Sequence, residues 1–164
     1  MLVSQYTRFD KPVTLTRALL LDRLGLPRLP RTPLARVETA PGPRHGAIRA
    51  DRLILHDAAG RTLPATCLVP AEATGAAILY CHAHGNRYDI GMAELVARRP
   101  ALLAPPLGLH LAGLGVTVLC ADMPGFGTRQ GDGRESALAK AALWHGESPM
   151  AAMLSDLGLA LSAL

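Results

Sequence analysis

The sequence predicts an α/β fold in which an antiparallel hairpin leads into parallel strands joined by crossover helices. Two apolar runs carry most of that prediction: Ala76 to Asn86 (AAILYCHAHGN) and Val116 to Thr128 (VTVLCADMPGFGT), each closed abruptly by polar and turn residues. Runs of this length, rich in Val, Ile and Leu, read as strands buried on both faces, as the inside of a parallel sheet requires. Helical patterns over Ile90 to Arg99 and Leu107 to Leu114 separate them, so the order is strand, helix, strand, a crossover unit. Upstream, Leu53 to His56 and Leu63 to Val69 flank the turn-rich Asp57-Ala-Ala-Gly60-Arg61, the pattern of a hairpin.

Taken in order, Val13 to Leu24 has leucines and arginines at amphipathic helical spacing, stopped by Gly25 and Pro27. Leu26 to Gly46 holds Pro27, Pro30, Pro33, Pro41 and Pro43, a density that blocks helix interiors and central strands and favours an extended arm over the surface. The compact fold is expected to begin near Ile48, which divides the chain into an N-terminal helix and arm over 1–46 and an α/β unit over 47–164. Strands follow over Ala76 to Cys81 and Val116 to Ala121, then a turn at Pro124 to Gly133 and a helix over Glu135 to Leu143. The last helix has the clearest pattern: Ser148 as cap, Pro149 at the first position, then Met150, Met153, Leu154, Leu157, Leu161 and Leu164 on one stripe.

At 164 residues the chain suits one domain with a sizeable core. An apolar fraction of 49% and a mean hydropathy of +0.22 exclude a disordered chain, and no apolar run approaches the length needed to cross a bilayer. In TRALLLDRLGL, charges interrupt the apolar core and no small-residue cleavage site follows, so a cytoplasmic protein without a membrane partner is expected. The net charge of +4 comes from scattered arginines, with lysine only at Lys11 and Lys140, and aromatic content is 4%. A nucleic-acid binder shows a basic stripe interleaved with aromatics instead. Cys67, Cys81 and Cys120 each sit in an apolar run without a CxxC pair and read as buried reduced thiols.

The polar residues that close the two strands sit where chemistry is expected, because ligands of open α/β sheets bind at the carboxyl ends of the strands. His82, His84, Asn86 and Asp122 occupy those ends.

From about Ala50 onward the chain resembles the first half of an α/β-hydrolase, in particular the esterase-like and dienelactone-hydrolase-like branches. The resemblance rests on the hairpin Leu53 to Val69, the strand ending in His84-Gly85-Asn86, the strand ending in Asp122-Met-Pro-Gly-Phe-Gly127, and Trp144-His-Gly146 leading into the helix with Met153, Leu154 and Asp156. It implies a partial α/β-hydrolase sheet and, in the complete form, carboxylic ester hydrolysis by an activated serine with no cofactor and no metal. It also implies an oxyanion-hole loop in which Asn86 gives a backbone N–H and Gly85 lets the backbone approach the substrate. His84 and Tyr88 are expected to bind substrate. His82, Asp122, Gly125 and Gly127 are expected to support the site, Asp122 by bracing the turn after its strand.

One departure from the family pattern is decisive for activity. The family nucleophile lies in G-x-S-x-G after the next strand, and these 164 residues contain no such motif. The nearest imitation, Gly146-Glu147-Ser148-Pro149-Met150, lacks the last glycine, and Pro149 has no N–H to offer. The catalytic acid and histidine follow the nucleophile in the family and are missing for the same reason. The expectation is therefore the N-terminal part of a longer enzyme, inactive alone, whose strand at 76–81 has an unpaired edge open to self-association or to a C-terminal half.

Two readings from other classes stay open. A non-catalytic module would use that sheet edge to bind a partner by β-augmentation. A metal-dependent hydrolase would use His82 and His84, which alternation puts on one side of the strand. Segments Ala101 to Gly113 and Thr128 to Trp144 are longer than minimal connections and read either as a lid over the site or as surface helices.

Overall fold

The structure is a computed structural model and describes residues 14, 16–26, 33–97, 99, 102 and 104–164. Its first helix, α1 (Arg17–Arg23), starts at Thr16, whose Oγ1 accepts from the Leu19 N–H at 3.1 Å. Val13 and Leu15 of the predicted helix lie outside the described residues, and no residue of α1 is buried. Its leucines thus make no part of the core.

Pro27 and Pro30 also lie outside the described residues, but the rest of the proline-rich stretch departs from the expected arm. Leu34–Ala40 forms β1 and Arg44–His45 the two-residue β2, and both pair antiparallel with β3 (Ile48–Asp57). The sheet begins at Leu34, well before Ile48. Pro33, Pro41 and Pro43 bracket this edge strand instead of interrupting it, the position in a sheet that tolerates proline. Every residue of β1 after Leu34 is exposed, so no apolar alternation marked it in the sequence.

The hairpin is longer than predicted: β3 pairs with β4 (Thr62–Pro70) from Ile48↔Pro70 to His56↔Thr62. Antiparallel to β4 runs β6 (Thr117–Ala121), and parallel to β6 runs β5 (Ala77–Leu79), giving the order β1-β3-β4-β6-β5 with β2 beside β3. This is the predicted α/β architecture, with a single parallel pair among the described strands.

Strand alternation sorts the core into two layers. Ile48, Ala50, Leu68, Val118 and Cys120 face one side, under Leu95, which follows β5 in a 3-10 turn, and Ala112 of α2 (Leu107–Gly113). Leu55, Leu63, Ala65, Leu119 and Ala121 face the other, under Leu159 and Ala160 of α4 (Pro149–Leu161). Burying these fully enclosed Leu and Val side chains contributes roughly 1.5–3 kcal/mol each, which makes β6 the centre of the molecule.

Several elements differ from their predicted form. The strand expected at Ala76 to Cys81 is reduced to three residues at the sheet edge, with Ile78 38% exposed, so it is not buried on both faces. Cys81 is exposed for the same reason, while Cys120 is buried and Cys67 half-buried. In place of a helix over Ile90 to Arg99 there is a 3-10 turn, Gly91–Leu95, and Arg98 and Pro100 lie outside the described residues. A second 3-10 turn, Gly127–Asp132, leads to α3 (Glu135–Trp144).

The cap of α4 has the predicted form: Ser148 Oγ accepts from the Ala151 N–H at 3.0 Å, and Pro149 is the first helical residue. Its stripe does not. Met150, Leu161 and Leu164 are exposed, and the buried side consists of Asp156, Leu159 and Ala160. The ion pair of Asp156 with Arg129, 2.7 Å, fixes this rotation by turning a carboxylate inward.

Candidate functional site

Because β5 and β6 run parallel, their carboxyl ends open on the same rim, and the loops that follow them meet there. The Gly127 N–H donates to the Tyr88 carbonyl at 2.8 Å, tying the two loops together.

Asp122, fully buried at the end of β6, organises that junction. Its carboxylate accepts from the Met92 N–H at 2.6 Å and from both the N–H and the hydroxyl of Thr128 at 2.7 Å. Gly127 has φ of 51°, and a Cβ there would run into the same carboxylate. Glycine is thus required twice over. Gly125, φ 81°, makes the preceding turn and lines the neighbouring cleft.

His82 is largely buried under this junction. Its Nε2 accepts from the Met123 N–H at 3.1 Å, and its Nδ1 lies 3.3 Å from the Ala83 carbonyl, a pairing that fits the Nδ1–H tautomer. His84 sits two residues on, beside the same ring: the two imidazoles lie 5.1 and 5.3 Å from Phe126. Nε2 of His84 meets Glu135 Oε2 at 3.0 Å, and its Nδ1 accepts from the Asn86 N–H at 3.2 Å. All four ring nitrogens therefore have protein partners. Among the described residues no group of three His, Cys, Asp or Glu is placed to hold a metal.

Gly85 and Asn86 both take left-handed backbone, at φ 46° and 53°. A Cβ on Gly85 would lie 2.8 Å from Arg99 Nη1. That guanidinium fills the space under the loop, donating to the carbonyls of Ala83 (3.1 Å), His84 (3.4 Å) and Arg87 (3.4 Å). Buried Glu94 balances it at 3.2 Å and also accepts from the Tyr80 hydroxyl at 2.7 Å and the Ala83 N–H at 3.3 Å. Burial first, and then the Glu94 carboxylate, push the Tyr80 phenol well above its usual range.

Tyr88 packs on Phe126 with ring centroids 4.9 Å apart and donates its hydroxyl to Glu135 Oε2 at 2.7 Å. Hydrogen bonds from Tyr88 and His84 hold the Glu135 carboxyl below the ordinary glutamate value. The same bond raises the Tyr88 phenol. Two clefts meet at Glu135. One, of about 430 Å³, has His82, His84, Met123, Phe126, Met150 and Met153 in its walls. The other, of about 460 Å³, is more polar, with Tyr88, Gln130, Arg134 and Ser136.

Of the residues the sequence pointed to, His82 and His84 line one cleft and Tyr88 and Gly125 the other, Gly85 and Asn86 form the loop between His84 and Tyr88, and Asp122 and Gly127 lie at the junction beneath. Glu135, Glu94, Arg99 and Phe126 were not singled out in the sequence. Phe126 lay inside the P-G-F-G turn, but Glu135, Glu94 and Arg99 belong to no motif and reach the site only through the fold. Ser148 precedes the cleft-lining Pro149 and Met150, and its hydroxyl donates to the Leu24 carbonyl at 3.2 Å.

Comparison with known proteins gives two likenesses, and no family model matches the chain. A protein of Bacillus subtilis (strain 168) named "Putative hydrolase YtaP" is 37% identical over 103 residues, 62% of this chain and 33% of that protein. A crystal structure described as a "putative acetyl xylan esterase" from Bacteroides fragilis NCTC 9343 aligns with a TM-score of 0.57 at 15% identity, covering 78% of this chain and 37% of that one. The chain spans about a third of the length of these relatives. The structural likeness supports the α/β fold.

Proposed function

We propose that this chain forms the oxyanion-loop half of a serine hydrolase that cleaves carboxylic esters, with nucleophile, acid and base supplied from outside these 164 residues. The observation that carries this reading is the loop after β5. Its left-handed Gly85 and Asn86 follow directly on His84, which lines a cleft of about 430 Å³. In the complete enzyme a serine attacks the ester carbonyl, a histidine carries the proton, and the Asn86 N–H with a second amide holds the developing oxyanion. One such donor contributes on the order of 3 kcal/mol to the transition state. His84 and Tyr88, which line the clefts, contact the substrate, and the connection at 128–144, whose Gln130, Arg134 and Ser136 line the polar cleft, sets its access.

Hydrolysis of p-nitrophenyl acetate, together with labelling by a fluorophosphonate, tests the reading. The 164-residue chain is expected to be silent in both, and activity is expected once a downstream segment carrying G-x-S-x-G is added. Turnover by the chain alone would overturn the division of labour, with Ser148 the first serine to check.

The exposed β5 favours a second reading, a module whose sheet edge pairs with another chain. A stable stoichiometric complex formed without any hydrolysis would select it.

A further inference from the structure

The amide expected to hold the oxyanion is already occupied. The Asn86 N–H points at His84 Nδ1, 3.2 Å away, two residues back in the same loop. A nitrogen that accepts is unprotonated, so His84 carries its proton on Nε2, the atom that faces Glu135 Oε2 at 3.0 Å. Glu135 in turn is held by the Tyr88 hydroxyl on that same oxygen, at 2.7 Å. The chain Tyr88, Glu135, His84, Asn86 selects one tautomer and closes the loop upon itself.

The geometry points to His84 as a latch on the Asn86 amide, opened when a proton from solvent binds His84 Nδ1 and closed when it leaves. This rests on the ester-hydrolase reading for its purpose, since a freed Asn86 N–H is the donor a substrate oxygen would use. The physical step is simple. Protonated Nδ1 becomes a donor and can no longer accept, so two N–H groups would face each other and the contact must open. Glu135 stays bonded to Nε2 through the change, which keeps the ring in place while the amide is released.

The other groups around His84 are accounted for. Tyr88 and Phe126 pack edge-on to its ring, at 5.2 and 5.3 Å. His82 shares the cleft but has both nitrogens engaged. Arg99, neutralised by Glu94, lies behind the loop and touches the His84 carbonyl. Arg134 lines the polar cleft next to Glu135. Among these, Glu135 is the charged group in hydrogen-bond contact with the imidazole.

Histidine changes charge between about pH 5 and pH 8, which sets the window for the test. Amide and imidazole NMR resonances of the 164-residue chain would be followed across it, with the Arg87 amide as internal reference, since it donates to the His84 carbonyl at 3.1 Å and not to the ring. The Asn86 amide is expected to shift with the midpoint of the His84 imidazole and to lose about tenfold in exchange protection relative to Arg87, the equivalent of one modest hydrogen bond. His84→Phe, which keeps an aromatic ring against Phe126, should abolish the step. Glu135→Gln, which keeps an acceptor for His84 Nε2, should leave the Asn86 step coincident with that of the imidazole, and this variant decides the matter if His84→Phe does not fold.

An Asn86 amide that stays fixed while His84 titrates, or a step that survives in His84→Phe, overturns the latch. No ester is present in this experiment, so its failure leaves the hydrolase reading standing. A latch that titrates in a chain that never gains hydrolysis when completed removes the hydrolase reading alone.

Discussion

Asp122 shows how much one side chain decides at this site. It is fully buried and satisfies three donors, from Met92 and Thr128. Asp122→Ala leaves those donors without partners in the interior and is expected to cost about 3 kcal/mol, read as a lowered urea midpoint at unchanged slope. Gly85 is constrained differently. In Gly85→Ala the new Cβ meets both a left-handed φ and the Arg99 guanidinium. The loop must shift, and in the completed enzyme kcat should fall about 10²-fold, the loss of one oxyanion donor, with near-UV circular dichroism little changed.

Carboxylates also set the acid limit of stability. The hydrogen bond from Arg49 holds Asp51 below the ordinary aspartate value against the opposing effect of burial. Burial pushes Asp57 upward, but the Arg61 N–H and guanidinium outweigh it and leave that carboxyl lowered too. A carboxyl whose value is depressed in the folded state adds stability above its unfolded value, about 3.9 for aspartate, and loses it as pH falls toward the folded value. Denaturation midpoints should therefore decline below about pH 5, and Arg49→Met together with Arg61→Met should flatten that decline.

At the scale of elements, caps and buried pairs do what apolar stripes do not. Ser148 starts α4 and reaches the Leu24 carbonyl after α1, so Ser148→Ala is expected to cost about 1 kcal/mol in thermal or urea unfolding. The pair Glu94 and Arg99 joins the 3-10 turn at Gly91–Leu95 to the loop after β5. Arg99→Met strands a buried carboxylate and should cost about 3 kcal/mol, while Glu94→Gln combined with Arg99→Met should cost less than the sum of the two single changes. Arg99→Lys is not expected to restore stability, because one ammonium cannot reproduce the planar fork that meets three carbonyls.

For the whole molecule the sheet edge matters most. β5 is paired with β6 on one side, and Ile78 is 38% exposed on this edge strand. An apolar edge is a template for another strand. Sedimentation velocity at micromolar concentration should show association that rises with concentration, and Ile78→Lys should suppress it. A wild-type chain that stays monomeric would sink the proposal that this edge seeks a partner.

The buried strand around residue 118, the hairpin, and the Ser148-Pro149 start were legible because each follows from local chemistry: burial on a strand, a turn, a cap. The strand ends also predict that His84, Asn86 and Asp122 sit at one rim. β1 was not legible, since an exposed edge strand has no apolar pattern to betray it. The α4 stripe misled because leucine content cannot say which face an inward carboxylate will claim. What the sequence determined by itself was the α/β class and the strand ends where chemistry can sit, both set by short-range periodicity. Only the tertiary structure decided that Arg99 lies under Gly85 and that Glu135 holds His84 on the Asn86 amide. Those partners are 14 and 51 residues apart, as Gly85 to Arg99 and His84 to Glu135, and packing alone brings them together.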